Sequence, residues 1–239
     1  MTTPKKSKKT TKKNIDVPST DQIEPSSTDV VPELPPFPII FNMDSLASEE
    51  PKEKLRTIAL YGTIKEDVCA EIIYSLIILE RSGKNTFLVD PEDITSKEKT
   101  TYEPIKFIIS SYGGSAADMF SVYDTMRNIR DHCEIHTQGL GKVMSAAVLL
   151  LASGTKGKRT IGKHTRVMIH GVIAGQHGHI SDLENEMEEA RWTQGQYIKA
   201  LARETNMSQK YIKKLIDKKM NVYLTAQEAV DLGIADIIL

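Results

Sequence analysis

From residue 55 onward the chain alternates between short strand-like runs and longer segments whose apolar residues recur at helical spacing. Residues 57–61 form a β-prone apolar run, and an apolar stripe at helical spacing follows over 68–79. The same order repeats with a run at 105–109 and a stripe at 119–129. This alternation predicts an α/β domain with a mainly parallel sheet and right-handed crossovers. In such folds, functional sites form at the C-terminal ends of the strands.

The second half of the chain continues the alternation and adds signals for helix ends. Thr225 and Glu228 have the spacing of a capping box, which predicts a short helix that ends near Gly233. Gly154 is a stop signal for a short apolar helix. The other expected elements are a strand at 133–137, a glycine turn at 139–141, a helix at about 145–153, a strand at 166–170 and two long helices at roughly 181–205 and 208–219.

The first 55 residues differ sharply from the rest in composition. Six lysines and no acid lie within residues 1–13, whereas residues 14–51 contain eight acids and no lysine or arginine. Segregated charge and low hydrophobicity are typical of disorder. We therefore expect a disordered or processed extension over residues 1–55 and a folded domain over 56–239. Within the extension, residues 34–41 are apolar and suited to packing on the domain or on a partner.

Charge and hydropathy exclude several classes of function. From Lys52 onward there are 25 basic and 24 acidic residues, so the folded part lacks the basic excess of a nucleic-acid-binding domain. No apolar run approaches the ~20 residues of a membrane-spanning helix, and we expect no secretory signal. Cys69 and Cys133 make neither a disulfide framework nor a zinc pattern. We therefore expect neither a nucleic-acid nor a membrane partner.

Three features lie where predicted strands end: the pair Gly113 and Gly114, Ser145, and His170. A serine at a helix N-terminus can act as a nucleophile beside a histidine base, and nearby backbone N–H groups can hold an oxyanion. Glycines let a strand end approach a substrate carbonyl because no side chain interferes. Each feature also has a structural explanation, as a tight turn, a serine at a helix start or a satisfied core histidine. Taken together, they predict acyl transfer to water.

Competing motifs are absent or incomplete. Ser145 lacks the flanking glycines of the lipase-type G-x-S-x-G elbow. The glycine-bearing stretches at 139–143 and 154–159 lack the spacing and the final Ser/Thr of a phosphate-binding loop. His177 and His179 would share one face of a strand, but no third ligand accompanies them. We therefore expect no cofactor and no metal.

Longer strings of residues occur in one order between about 57 and 239. They are YDTM at 123–126, GKVMS at 141–145, ASGTKGKR at 152–159, RVMIH at 166–170, LTAQEAV at 224–230 and GIAD at 233–236. In these strings the chain closely resembles the proteolytic subunit of the Clp protease. The resemblance extends over the whole predicted domain, so it is far more specific than one short motif.

The resemblance implies both a fold and an assembly. The fold is a spiral of repeated βαβ units, like that of crotonase, with a protruding strand-helix handle formed by residues 171–178 and the helix after them. The assembly is a homo-oligomeric double ring of two heptamers, a tetradecamer, that degrades polypeptides delivered by an AAA+ unfoldase. The resemblance assigns Ser145 as nucleophile and His170 as base, with the amides of Gly114 and Ala146 as oxyanion hole. A histidine base predicts activity that rises from mildly acid to neutral pH.

The third catalytic position departs from the family pattern. The family has an aspartate shortly before the LTAQE-like string, and here Asn221 stands there, with Asp217 about one helical turn earlier as a second candidate. An asparagine can fix the histidine tautomer but supplies no negative charge, and such a swap lowers turnover ~10⁴-fold in another protease. Further departures are Tyr112 in place of proline, Gly171 in place of glutamine, and a long connection at 81–104.

These departures leave alternatives to an active protease. One is a non-catalytic or weakly active ring subunit that co-assembles with an active Clp subunit. Another is a viral capsid-assembly protease, which would cleave one protein without an unfoldase. An acyl-CoA hydratase-like enzyme shares the spiral fold but leaves Ser145 and His170 without a role. The expected location is the cytoplasm, with an organelle or the cytoplasm of a virus-infected host as alternatives, and the extension is expected to be cleaved off or to regulate entry to the chamber.

Overall fold

Strands and helices alternate along most of the chain in the computed structural model, which describes residues 55–175, 177–217 and 221–239. The α/β fold class expected from the sequence is confirmed, whereas the extension before residue 55 and the end of the second long helix at 218–219 lie outside the described residues. The elements are β1 (Thr57–Ile64), α1 (Glu66–Ser82), β2 (Lys84–Leu88), β3 (Glu98–Tyr102), β4 (Ile105–Gly114), α2 (Ala116–Arg130), β5 (Ile135–Met144), α3 (Ala146–Ala152), β6 (Thr160–Ile161), β7 (Arg166–Ile169), α4 (Ile180–Glu204), α5 (Gln209–Asp217), β8 (Val222–Leu224), α6 (Ala226–Asp231) and β9 (Ile237–Ile238).

Seven strands of the described residues form one mainly parallel sheet, in which β1, β4, β5, β6 and β9 follow one another. Strand β7 pairs in parallel with β5, and β8 is antiparallel to β7. Because β1, β4, β5 and β7 run in the same direction, their C-terminal ends meet at one edge of the sheet. Gly114 ends β4, while Ser145 and His170 directly follow β5 and β7, so all three candidate residues lie at this edge.

The glycine turn predicted at 139–141 is wrong, because these residues lie inside β5. Ile109 of β4 pairs with Gly139 of β5, and the next pair is Ser111 with Val143. Between these pairs β5 therefore has two more residues than β4. Gly141 takes up the irregularity with a φ of 65°, a conformation that glycine adopts without steric cost. Strand β5 therefore pairs first with β6 and then with β7, which brings the end of β7 beside its own end.

Helix α3 is buried on every side. All seven of its residues, Ala146–Ala152, are buried, which explains why the segment is apolar all round rather than striped. It packs on β4 and β5 of the sheet and on α2 and α4. The start of α3, which directly follows Ser145, is thereby held within the hydrophobic core.

The long connection at 81–104 forms a β-hairpin, which the sequence did not predict. Strands β2 and β3 pair antiparallel, and Arg56 fastens their base by donating hydrogen bonds to the carbonyls of Leu79, Glu103 and Pro104 at 2.7, 2.9 and 3.2 Å. The hairpin leads into the N-terminal end of β4. It therefore enters the sheet at the edge opposite the candidate residues.

A buried ion cluster fixes the C-terminal end of α4. The Glu204 carboxylate accepts hydrogen bonds from Tyr123 at 2.9 Å, from Arg127 at 3.1 Å, and from Arg130 at 2.8 and 2.9 Å. Arg159 donates to the Glu204 carbonyl at 2.7 Å and pairs with Asp236. Burial alone would raise the pKa of Glu204, but Arg130, with Tyr123 and Arg127, outweighs burial and holds the pKa below its ordinary value. The end of α4 is thus tied to α2 and to the C-terminal segment.

The two halves of α4 have different surroundings. Its first half is mostly exposed, including Met187 and Trp192, whereas Tyr197, Ala200 and Leu201 in its second half are buried. This helix is the one expected in the handle. Residues 171–175 and 177–179 before it form no strand, so the strand part of the expected strand-helix handle is not seen in the described residues of a single chain. The capping box of Thr225 and Glu228 is confirmed at the start of α6.

Candidate active site

Ser145 occupies a sharp turn between strand β5 and helix α3. Its backbone has φ 55° and ψ −125°, and no other residue except glycine has a positive φ in the part of the chain that the structure describes. Such strained conformations concentrate at functional sites, where the surrounding structure holds them in place. Here the Ser145 N–H donates to the Met168 carbonyl of β7 at 2.8 Å. The turn has the strand-to-helix geometry of a nucleophile elbow, although the sequence lacks the elbow motif.

Gly113 packs directly against this turn. A Cβ at position 113 would lie 2.6 Å from the Ser145 Cβ and 2.8 Å from the Met144 carbonyl oxygen, so only glycine fits. Its φ of 98° is also one that other residues rarely adopt. The glycine pair does not form the alternative tight turn, because both residues stay in β4 and pair with β1. The end of β4 and the Ser145 turn therefore approach each other backbone to backbone.

His170 follows the last residue of β7 and makes one hydrogen bond that defines its chemistry. Its Nδ1 contacts the carbonyl oxygen of Gly171. A carbonyl oxygen can only accept, so Nδ1 carries the proton and donates it. In a neutral imidazole, Nε2 then keeps its lone pair and is the nitrogen that can act as a base.

One open cleft of about 440 Å³ contains all four residues expected to act on a peptide bond: Gly114, Ser145, Ala146 and His170. The N–H of Ala146 opens helix α3, so it belongs to the amides that a helix leaves without intrahelical partners. The hydrogen bonds among the described residues do not include one between Ser145 and His170. Hydrogen bonds at such sites are often long before substrate binds and tighten in the complex.

His170 also lines a second cavity, of about 580 Å³. It is lined by His170, Gln194, Asp217 and Asn221, among others, so both candidates for the third catalytic position are near the base. Neither Asn221 nor Asp217 makes a hydrogen bond to His170 among the contacts of the described residues. The orienting role of Asn221 therefore stays a prediction.

Two residues of α4 reach the site, and neither was predicted from the sequence. The Tyr197 hydroxyl donates to the Ser145 carbonyl at 3.2 Å, and the Gln194 side-chain oxygen accepts from the Val172 N–H at 3.1 Å. Burial raises the pKa of Tyr197, which keeps its hydroxyl protonated as a donor. In the sequence these residues stand on a polar-faced helix without any motif. Only their spacing of three residues, which places them on one helix face, could have pointed to a shared role.

The Tyr112 departure builds an exposed aromatic rim beside the cleft. Lys142 places its ammonium 4.6 Å from the centroid of the Tyr112 ring and 5.5 Å from that of Tyr61. Both distances are within the range of a cation–π contact. Tyr112 also lines the cleft itself. The side chain in place of the family's proline therefore contributes to the wall of the candidate site.

The described residues also bear on membrane-spanning helices and metal sites. None of the described helices combines the length and apolar character needed to cross a membrane. In the same residues, no cluster of three or more His, Cys, Asp or Glu side chains is arranged to hold a metal ion.

Comparison with known proteins gives one family. The Clp protease family model matches residues 94–239. ATP-dependent Clp protease proteolytic subunit 1 of Prochlorococcus marinus subsp. pastoris is 32% identical over 184 residues, which cover 77% of this chain and 83% of that protein. The subunit of the same name from Corynebacterium diphtheriae is 35% identical over 181 residues, which cover 75% and 77%. By the match to the family model and by these relatives, which agree with the fold, the chain belongs to the Clp protease family.

Proposed function

We propose that the chain is a serine endopeptidase subunit of a Clp-type protease that hydrolyses unfolded polypeptides. The observation that carries this proposal is the strained turn at Ser145, which opens into the same cleft as His170 and the amide-bearing residues Gly114 and Ala146. A nucleophile, a base and oxyanion donors in one cleft are the parts that acyl transfer to water requires.

The proposed reaction proceeds through an acyl-enzyme. His170 Nε2 takes the proton of the Ser145 hydroxyl while the oxygen attacks the peptide carbonyl carbon. The carbonyl oxygen becomes an oxyanion that accepts hydrogen bonds from the N–H groups of Gly114 and Ala146. The C–N bond then breaks, and the imidazolium gives its proton to the leaving amine. A water molecule, deprotonated by His170, hydrolyses the ester and regenerates Ser145.

The third position completes the proposed triad. Asn221 matches the family's aspartate and lines one cavity together with His170, with Asp217 as the second candidate. An amide oxygen at Asn221 can accept from the imidazole N–H, but it carries no charge to stabilise an imidazolium. We therefore expect slower turnover than an aspartate at this position would support.

Assembly and partners are part of the same proposal. Two stacked rings of seven subunits would enclose the sites, and an AAA+ unfoldase would feed polypeptides into the chamber in the cytoplasm. The relatives' names, which describe ATP-dependent proteolytic subunits, support an ATP-driven partner and an assembly of subunits. The exposed first half of α4 supplies a surface, with Met187 and Trp192, on which rings could interlock. Residues 1–55 would be removed or would regulate entry.

The nucleophile is tested by Ser145→Ala. The variant should lose hydrolysis of a small fluorogenic peptide and labelling by a fluorophosphonate, because both require the serine oxygen. Native mass spectrometry of both proteins provides the control, since the rings should assemble in either case and the mass also reports removal of the extension. Labelling that persists in Ser145→Ala would overturn the assignment.

A second candidate function is a ring subunit with little hydrolysis of its own that co-assembles with an active Clp subunit. One observation favours it: Asn221 stands where the family has an aspartate, so the orienting position lacks a negative charge. Peptide hydrolysis by the chain alone and by a mixture with an active Clp subunit separates the candidates. Appreciable turnover by the chain alone excludes the second one.

A further inference from the structure

The hydrogen-bond partner of His170 Nδ1 belongs to the main chain. The proton acceptor is the carbonyl oxygen of Gly171, whereas Asn221 and Asp217 line a cavity with His170 but make no hydrogen bond to it among the described residues. A carbonyl at this place does what a side-chain acceptor does for the tautomer, since it keeps the proton on Nδ1 and the lone pair on Nε2. The orientation of His170 then depends on what holds the peptide unit between Gly171 and Val172.

That peptide unit is held by Gln194 of α4. The Gly171 carbonyl and the Val172 N–H belong to the same planar group, and the N–H donates to the Gln194 side-chain oxygen at 3.1 Å. The chain of bonds runs from the glutamine oxygen through the peptide to the imidazole. Hydrogen bonds in such a chain polarise one another, so the bond to Gln194 strengthens the acceptor that faces His170.

The residue at 171 makes this arrangement possible. A Cβ at Gly171 would lie 2.8 Å from the Ile216 methyl Cγ2 and 3.0 Å from the Gln194 side-chain oxygen. A larger residue here would have to displace one of these two side chains. Glycine at 171, where the family has glutamine, therefore leaves the space in which the Gln194 side chain packs.

The same face of α4 also holds the nucleophile. Tyr197 lies three residues after Gln194, is buried, and donates to the Ser145 carbonyl at 3.2 Å. One face of α4 thus makes hydrogen bonds to the main chain after His170 and to the main chain of Ser145.

We propose that Gln194 is a positioning residue that orients His170 through the Gly171–Val172 peptide, and that it supplies much of the orienting role which the family assigns to an aspartate. Tyr197 is its counterpart on the serine side, and α4 sets the spacing between nucleophile and base. The inference rests on the proposed peptidase function.

The test compares two substitutions of Gln194 with one of Gln196 and one of Asn221 in the full-length protein. Gln194→Met keeps the length of the side chain but removes the acceptor, and it should lower kcat about tenfold or more with little change in KM. Gln194→Glu keeps the acceptor and should restore most of kcat. Because its carboxylate favours the imidazolium, the acid limb of the pH profile should move to higher pH. Asp217 lines the same cavity in all variants, so its charge does not distinguish them.

The matched control is Gln196→Met, which makes the same chemical change two residues along α4, where the side chain has no hydrogen bond among the described residues. It should leave kcat within about twofold. Native mass and thermal unfolding report whether each variant is folded and assembled. Asn221→Ala should lower kcat less than Gln194→Met does.

The outcomes separate this inference from the proposed function. A wild-type chain that labels at Ser145, combined with a Gln194→Met variant of unchanged kcat and pH profile, overturns the inference alone. A larger loss in Asn221→Ala than in Gln194→Met does the same. A wild-type chain whose Ser145 resists fluorophosphonate, alone and with an active Clp subunit, overturns the peptidase function itself.

Discussion

The two sides of the candidate site are held by different means. Ser145 stands between a strand and a fully buried helix, and main-chain contacts with Gly113 and Met168 hold its strained conformation. His170 lines two cavities, and in the described part of the irregular segment after it the Val172 N–H donates to the side chain of Gln194. The geometry of the nucleophile is thus set by the backbone, whereas that of the base depends on a replaceable side chain. Changes that tune activity should therefore accumulate on the histidine side.

The largest expected effect is a loss of stability that would affect both sides of the site, because α4 supports Ser145 as well as His170. Glu204→Ala leaves Arg127 and Arg130 without their buried partner, and it should lower the free energy of unfolding by about 3 kcal/mol or more. Urea unfolding measures the loss. The matched control is Glu71→Ala on the exposed face of α1, which should stay within about 0.5 kcal/mol of wild type. Equal stability of the two variants would contradict a structural role for the ion cluster.

The same carboxylate predicts how stability depends on pH. The pKa of Glu204 is lower in the folded chain than its ordinary value, so its contribution is complete above the unfolded pKa of about 4.3 and is lost as pH falls through the folded value. Asp236 acts in the same direction, because its hydrogen bonds to Arg159 outweigh burial and lower its pKa. Unfolding measured between pH 7 and pH 3 should show less acid destabilisation in Glu204→Gln than in wild type.

The next largest effect is a loss of activity caused by a change on the serine side alone. Gly113→Ala places a methyl group 2.6 Å from the Ser145 Cβ, so the turn must shift. A displacement of about 1 Å at a nucleophile costs ~10²-fold in rate, and kcat/KM on a fluorogenic peptide should fall accordingly. Gly195→Ala is the matched control, since it has open space in α4 and should stabilise the helix by about 0.5–1 kcal/mol. Full activity in Gly113→Ala would show that the serine side is as adaptable as the histidine side.

The smallest effect concerns the single side-chain bond on the serine side. Tyr197→Phe removes the 3.2 Å hydrogen bond to the Ser145 carbonyl but keeps the buried ring. Because the main chain already holds Ser145, kcat should fall only about threefold to tenfold, less than in Gln194→Met. Steady-state kinetics of the two variants in parallel test this order. If the order is reversed, a side chain rather than the backbone controls the nucleophile.

What could be predicted from the sequence follows from local patterns. The strand and helix alternation, the capping box of Thr225 and the positions of Ser145 and His170 at strand ends all depend on neighbouring residues. The strained φ of Ser145 could not be predicted, because it is imposed by β4 and β7, which are distant in the chain. Gln194 carries no local signal for its role either, since its partner at Val172 is reached only through the folded helix.

Two misjudged segments show the same limit. The glycines at 139–141 have turn chemistry, but pairing with β4, β6 and β7 keeps them in one strand. The hairpin at 84–102 was hidden because its strands are short, mostly polar and exposed, so they lack the apolar alternation of a half-buried strand. In both cases, long-range pairing decided the local structure.

The Arg56 contacts have a mechanical consequence for the residues that precede the domain. Arg56 is fastened to the end of α1 through Leu79 and to the segment before β4 through Glu103 and Pro104. A pulling force on the chain before residue 55 would therefore load this clamp first, at the N-terminal edge of the sheet. The Ser145 turn, at the opposite edge, would be shielded from that force.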